Sequence, residues 1–131
     1  MAIATGTFEV NMEPMGGSAA EGGDAVTRFA LDKTYAGDLI GSAAGQMLAS
    51  TTAVDGSAGY VAIERIVGSL GDASGSFVIQ HFGLMNRGDP SLDIAIIPDS
   101  GTEGLTGISG QMSIDVDAEG NHVYQLDYQL P

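Results

Sequence analysis

The sequence predicts an all-β protein: one closed antiparallel barrel of about eight strands, mostly an up-and-down meander. Three observations lead there. Glycine is abundant, at 20 of 131 residues, and Val, Ile and Thr are common, which favours strands with many turns. Apolar and polar residues alternate with a period of two in segment after segment, and no segment reads convincingly as a helix. The connections between segments are of hairpin length, and a twisted sheet of this many strands tends to close, which removes its exposed edges. A β-sandwich is the alternative. The length suits a single domain over residues 1–131.

The segments justify themselves in order. Residues 3–12 place Ala4, Gly6, Phe8, Val10 and Met12 on one side, the more apolar one. Residues 14–23, PMGGSAAEGG, read as a surface loop. Residues 25–35 alternate again, with Thr27, Phe29, Leu31, Lys33 and Tyr35 on one face. Ala36 and Gly37 then suit a two-residue turn. Residues 38–51 are small enough for a helix, but Gly37, Gly41 and Gly45 argue for a strand kinked for curvature. Lys33 and Asp38, which flank the turn, read as solvated groups at a strand end.

Residues 60–70 and 75–85 form the central hairpin, with Asp72 and Ala73 expected at its tip. Residues 86–90 are a turn, 91–97 a short strand ended by Pro98, and 99–105 a loop or one turn of helix. The last hairpin, 107–116 with 123–130, has the cleanest pattern. Pairing Ile114 with Tyr124 sets Met112 by Leu126 and Ile108 by Leu130, so the apolar sets match across the ladder.

Composition excludes several function classes. The formal net charge is -13, with Arg28, Lys33, Arg65 and Arg87 the whole basic complement. Such a surface repels phosphate backbones and anionic lipid, so neither nucleic acid nor membrane is an expected partner. There is no cysteine, hence no disulfide, thiolate nucleophile or Cys-based metal site. The first residues, MAIATGTFEV, lack the charged and apolar regions of a signal peptide, and no apolar run reaches membrane-span length. A cytoplasmic location is the expectation.

Four blocks, GYVAIERIVGSL (59–70), GSFVIQHFGLMNRG (75–88), IIPDSGTEGLTGISGQMSI (96–114) and HVYQLDYQLP (122–131), resemble a bacterial domain-of-unknown-function family. Its members are small single-domain proteins with a barrel similar to that of allene oxide cyclase. The blocks run almost continuously through the second half of the chain, while residues 33–48 are similar more loosely. The resemblance implies the barrel. It implies no activity, because fold alone does not transfer function.

The residues best suited to chemistry are Glu64 and His81. With Asp72 and Ala73 at the tip, Leu70 faces Gly75, Ile66 faces Ile79 and Glu64 faces His81. A carboxylate then lies across from an imidazole on a mostly apolar face, where the pair can act as a general acid and base or anchor a ligand. A tip changed by one residue sets Arg65 opposite His81 instead. Tyr60, Arg65 and Gln80 on the same hairpin, with Asp99 and Ser100 in a turn able to form a nest of N–H groups, complete the expected ligand-binding set. A metal site is not expected, since His81 and His122 lie in different hairpins and no third ligand is visible. No cofactor is expected. No phosphate loop or nucleophile elbow occurs.

Both faces of the central hairpin are apolar; Val61, Ile63, Val67, Val78, Phe82 and Leu84 form the second. Only one face can line a barrel, so the other needs a cover, whether a neighbouring subunit, a loop or the N-terminal segment; a homo-oligomer through the outer face of the central strands is the expectation. Three functional readings follow. The first is a barrel that binds a small apolar or amphipathic molecule, with Glu64 and His81 as polar anchors. The second is an isomerase or cyclase that uses the same pair. The third is a structural oligomer with a barrel filled by Phe8, Met12, Met112, Tyr124 and Tyr128.

Overall fold

In the computed structural model, which describes residues 1–15 and 26–131, eight strands close into one antiparallel barrel in strict sequence order. They are β1 (Ala2–Pro14), β2 (Thr27–Gly37), β3 (Leu39–Thr51), β4 (Ala58–Leu70), β5 (Ala73–Asn86), β6 (Asp89–Ile96), β7 (Ser109–Val116) and β8 (His122–Gln129). A 3-10 turn, Glu103–Leu105, lies between β6 and β7. β1 pairs with β8, so the sheet has no free edge. Most of the loop expected at 14–23 falls outside the described residues.

Alternation sorts the side chains as expected. Ala4 and Phe8 of β1, Leu31 and Tyr35 of β2, and Tyr124 and Leu126 of β8 are buried. The β7–β8 register is the expected one, with Ile114 opposite Tyr124 and Met112 opposite Leu126.

The β4–β5 register differs from expectation. The tip is Gly71-Asp72, Leu70 pairs with Ala73, and Glu64 stands opposite Ile79, while His81 stands opposite Ala62. Gly71 has a φ of 61°, a left-handed conformation that glycine adopts without steric penalty and Ala73 would not. The slide amounts to two residues along the ladder, so every side chain keeps its face.

The β2–β3 turn is also wider than two residues, since pairing stops at Tyr35–Gly41. The Tyr124 hydroxyl fills the gap. It accepts the Leu39 N–H at 2.9 Å and lies 2.9 Å from the Ala36 carbonyl oxygen, to which it donates. Gly6 makes room, because a Cβ there would stand 2.6 Å from that hydroxyl. Asp38 caps the same corner by accepting the Thr5 N–H at 2.9 Å, the strand-end role its sequence suggests.

The two ends of the barrel are unlike. The β2–β3 and β4–β5 turns and residues 97–108 gather at one end. Leu39, Ile66, Leu70, Phe77, Ile79, Leu105, Ile108 and Leu126 fill the interior there. At the other end the inward-facing Val10, Phe29, Met47, Tyr60 and Ile114 are only half-buried, and Met12 and Met85 are exposed. Of the five side chains expected to fill the barrel, Phe8, Met112 and Tyr124 do so; Tyr128 is half-buried and Met12 is exposed. No helix among the described residues is long and apolar enough to cross a membrane.

Candidate functional site

Glu64 lies inside the barrel, on the row where Leu31, Gly45, Glu64 and Ile79 pair across β2 to β5. It is 1% exposed. An ionised carboxylate at such depth is expensive unless donors surround it. Three do. Lys33 Nζ donates to Oε2 at 2.6 Å and Tyr35 Oη to Oε1 at 2.5 Å. His81 Nε2 lies 3.0 Å from Oε2. A carboxylate only accepts, so this contact fixes the proton of His81 on Nε2.

β3 explains how groups on β2 reach across to β4. Its inward-facing residues between these partners are Gly41, Ala43 and Gly45, which leave the space open. Gly45 is the critical one. A Cβ there would lie 2.6 Å from the Glu64 Cα and 2.0 Å from the Ile63 carbonyl oxygen. The glycines that suggested a kinked strand thus also make the passage through which Lys33 and Tyr35 meet Glu64.

Aromatic rings surround the network. Lys33 Nζ sits 4.8 Å from the Phe8 ring centroid, in cation–π range. Phe8 in turn stacks on His122 at 5.1 Å and packs against Tyr35 at 5.5 Å. Tyr60 tilts toward His81 at 6.4 Å, and its ring lies over Gly83, where any Cβ would strike it.

Burial alone would raise the Glu64 carboxyl. The His81 hydrogen bond, the Lys33 ammonium and the Tyr35 hydroxyl together outweigh it and hold the group below its ordinary value. Burial, and then the charge of Glu64, push the Tyr35 phenol up, so it remains a neutral donor. The same two causes raise Tyr60.

Glu64 and His81 therefore meet, diagonally rather than directly across the ladder. Tyr60 joins them toward the open end. The other expected ligand-binding residues lie elsewhere. Arg65 and Gln80 point outward, and Arg65 donates to Ser76 Oγ at 3.1 Å. Asp99 and Ser100 lie at the closed end, in the segment that continues the β5 edge after β6 has left it. Ser100 Oγ accepts the Val78 N–H at 3.0 Å, and Thr102 Oγ1 accepts that of Ser76 at 3.0 Å. Asp99 takes a φ of 63°, as turn-forming Asp does. The Ser100 N–H donates to the Ile97 carbonyl at 3.2 Å and its hydroxyl lies 3.4 Å from the Val78 carbonyl, so both are engaged within the fold.

Sequence reasoning missed Lys33 and Tyr35. Lys33 is buried, not solvated, although its place on the face of Phe29, Leu31 and Tyr35 carried the signal. Among the described residues no group of three His, Asp or Glu side chains is placed to hold a metal ion. A separate groove of about 440 Å3 runs over the outer side of β1, β7 and β8, lined by Thr5, Thr7, Ser113, Asp115, Val123 and Gln125. It holds none of the candidate residues.

The chain matches a family model over residues 4–128, described as a protein of unknown function, DUF3224. Among solved structures it is similar to a protein of unknown function from the same family in Shewanella oneidensis MR-1. The two are 43% identical and superpose with a TM-score of 0.93, over 100% of this chain and 98% of that one. No curated protein matches the chain. These likenesses bear on the family and the barrel, and carry nothing about allene oxide cyclase or about a reaction.

Proposed function

We propose, for a chain that belongs to the DUF3224 family of proteins of unknown function, that the barrel binds a small apolar or amphipathic molecule at its open end. The carrying observation is the juxtaposition there of a ring of half-buried apolar side chains with a buried charged network below it. Val10, Phe29, Met47 and Tyr60 would hold the apolar body of a ligand. The ammonium of Lys33 and the imidazole of His81, both oriented by Glu64, would meet its polar end. An eight-stranded barrel is wide enough for one small ligand, and a mostly apolar pocket with a few fixed polar groups is the common form of such a site.

Glu64 is the orienting group in this reading and not the acid or base of a reaction. Its two oxygens already accept three hydrogen bonds, and those donors favour the ionised form. A general base needs a proton affinity near the working pH and an oxygen free to take the proton. The isomerase reading is therefore the weaker one.

The test is a fluorescence titration with anilinonaphthalene sulfonate, an amphipathic anion, followed by displacement with a medium-chain carboxylate. The expected result is saturable binding in roughly the micromolar range, competed by the carboxylate. Met47→Trp, which fills the open end, should abolish it. Binding unchanged in Met47→Trp would remove the open end from consideration.

A further inference from the structure

We infer that two copies of this chain associate face to face through the outer surface of β3, β4 and β5. Outward-facing Leu48, Val61 and Phe82 form one continuous row across the three strands. Ile40, Ile63, Val67 and Leu84 extend it along them. These side chains are far from covered: Ile63 is 54% exposed and Phe82 53%.

The distribution of charge points to a second copy as the occupant. The chain carries 17 acidic residues, yet Glu64 alone lies in β3–β5, and it points inward. The outer face of these three strands has no carboxylate, and Arg65 is its only charge. Elsewhere the outer surface is acidic: Glu9 and Glu13 on β1, Asp32 on β2, Asp93 on β6 and Asp115 on β7 are all exposed. Two chains with a formal net charge of -13 repel each other, and least where the acidic coat is interrupted. That interruption coincides with the apolar row. Asp32 and Asp93 border the face on its two sides, opposite Ala44 and Phe82, and offer Arg65 a carboxylate from the facing copy.

The area is of the right order. Three strands about 4.8 Å apart and thirteen or fourteen residues long, at about 3.3 Å per residue, make a face of at most roughly 600 Å2 when laid flat. Two copies then bury up to roughly 1,200 Å2, the lower bound for specific interfaces. A two-fold arrangement sets the same patch on both partners and closes the assembly at two chains. Aligned sheet-on-sheet packing is one arrangement open to two apolar sheet faces.

The experiment is sedimentation equilibrium with light scattering on the full chain. The wild type should have twice the 13.3 kDa chain mass, and should keep it at about 1 M salt, where surface charge is screened within about 3 Å. Ile63→Glu and Phe82→Glu each place a carboxylate on the face and should halve the mass while the circular dichroism of the barrel is unchanged. Ile63→Gln, which removes the apolar contact without adding charge, should weaken the dimer roughly tenfold or more, about 1.4 kcal/mol. Gln125→Glu, on the opposite wall, should leave the dimer intact. A wild-type mass of one chain, or a dimer that survives both carboxylate substitutions, overturns the inference. Ligand binding at the open end is measured separately and does not depend on the outcome.

Discussion

The two faces of the β3–β5 wall each carry a group ordinarily found on the other: a charged network within an otherwise apolar interior, and an apolar row on the outside. Its inner face holds Glu64 and His81, with Lys33 of β2 drawn in beside them, all nearly out of reach of water. Its outer face carries Leu48, Val61, Ile63, Phe82 and Leu84 into solvent. Interiors are ordinarily apolar because burying charge is expensive, and surfaces ordinarily charged because exposing it is free. On the two proposals made above, the inner face serves a ligand and the outer face a second copy of the chain.

Breaking the inner face should give the largest effect. Glu64→Gln keeps the size of the side chain and strands the Lys33 ammonium without its counter-ion. Removing one member of a buried pair typically destabilises by about 3–5 kcal/mol, and a urea melt should show a loss of that order. Replacing the network whole, as Lys33→Met, Tyr35→Phe, Glu64→Leu and His81→Leu together, should leave stability roughly unchanged or raised by about 1–4 kcal/mol, with the amphipathic probe no longer bound. A Glu64→Gln variant as stable as the wild type would count against an ionised pair buried in the network.

Tyr35→Phe is a milder cut at the same place. It removes one of the three donors to Glu64 and leaves Lys33 and His81 in position. The expected loss is about 1.5–3 kcal/mol, the range for a hydrogen bond to a charged group. Chemical denaturation of the single variant and of the pair Tyr35→Phe/Glu64→Gln should show strong non-additivity, because both act on one network.

Acid should separate the faces as well. The folded-state pKa of Glu64 lies below its unfolded value, since the donors favour the carboxylate. Glu64 therefore contributes stability that is fully present above the ordinary carboxylate range and is lost as pH falls through its depressed value. The melting temperature of the wild type should fall across that window. In Glu64→Gln this share of the pH dependence should be missing. Identical slopes in the two proteins would show that folding does not lower the Glu64 pKa.

How much of this was legible in the sequence depends on the range of the interaction. The β7–β8 pairing was legible because two alternating apolar sets, ending at Ile114 and Tyr124, fit in one register. That Glu64 and His81 share the interior was legible too, since a slide of two residues at Gly71-Asp72 preserves the face. Their direct opposition was not, because the slide depends on the left-handed backbone of Gly71, and the sequence offers Ala73 as an equal tip. Lys33 was misread for a different reason. Its periodicity places it inward, but a lone cation in an acidic chain is ordinarily solvated, and its counter-ion lies 31 residues away across a strand of glycine and alanine. Tyr124 is likewise invisible locally, because the backbone groups it satisfies belong to a turn 85 residues earlier.

The outer face offers the smallest effect and the sharpest contrast. Ile63 is half-exposed in a single barrel, so it contributes little to the folding of one chain. Ile63→Thr keeps the β-branch and the strand propensity while removing apolar surface. In dilute solution, where chains are separate, its unfolding free energy should lie within about 0.5 kcal/mol of wild type, as surface substitutions usually do. At high protein concentration the wild type should gain stability from association and the variant should gain less, because a partner that binds only the folded state raises apparent stability by mass action. The measurement is a pair of thermal melts across a concentration series. A wild-type melting temperature that does not move with concentration would mean that the apolar row on β3–β5 serves no second copy, and the two faces of this wall would then be unlike for separate reasons.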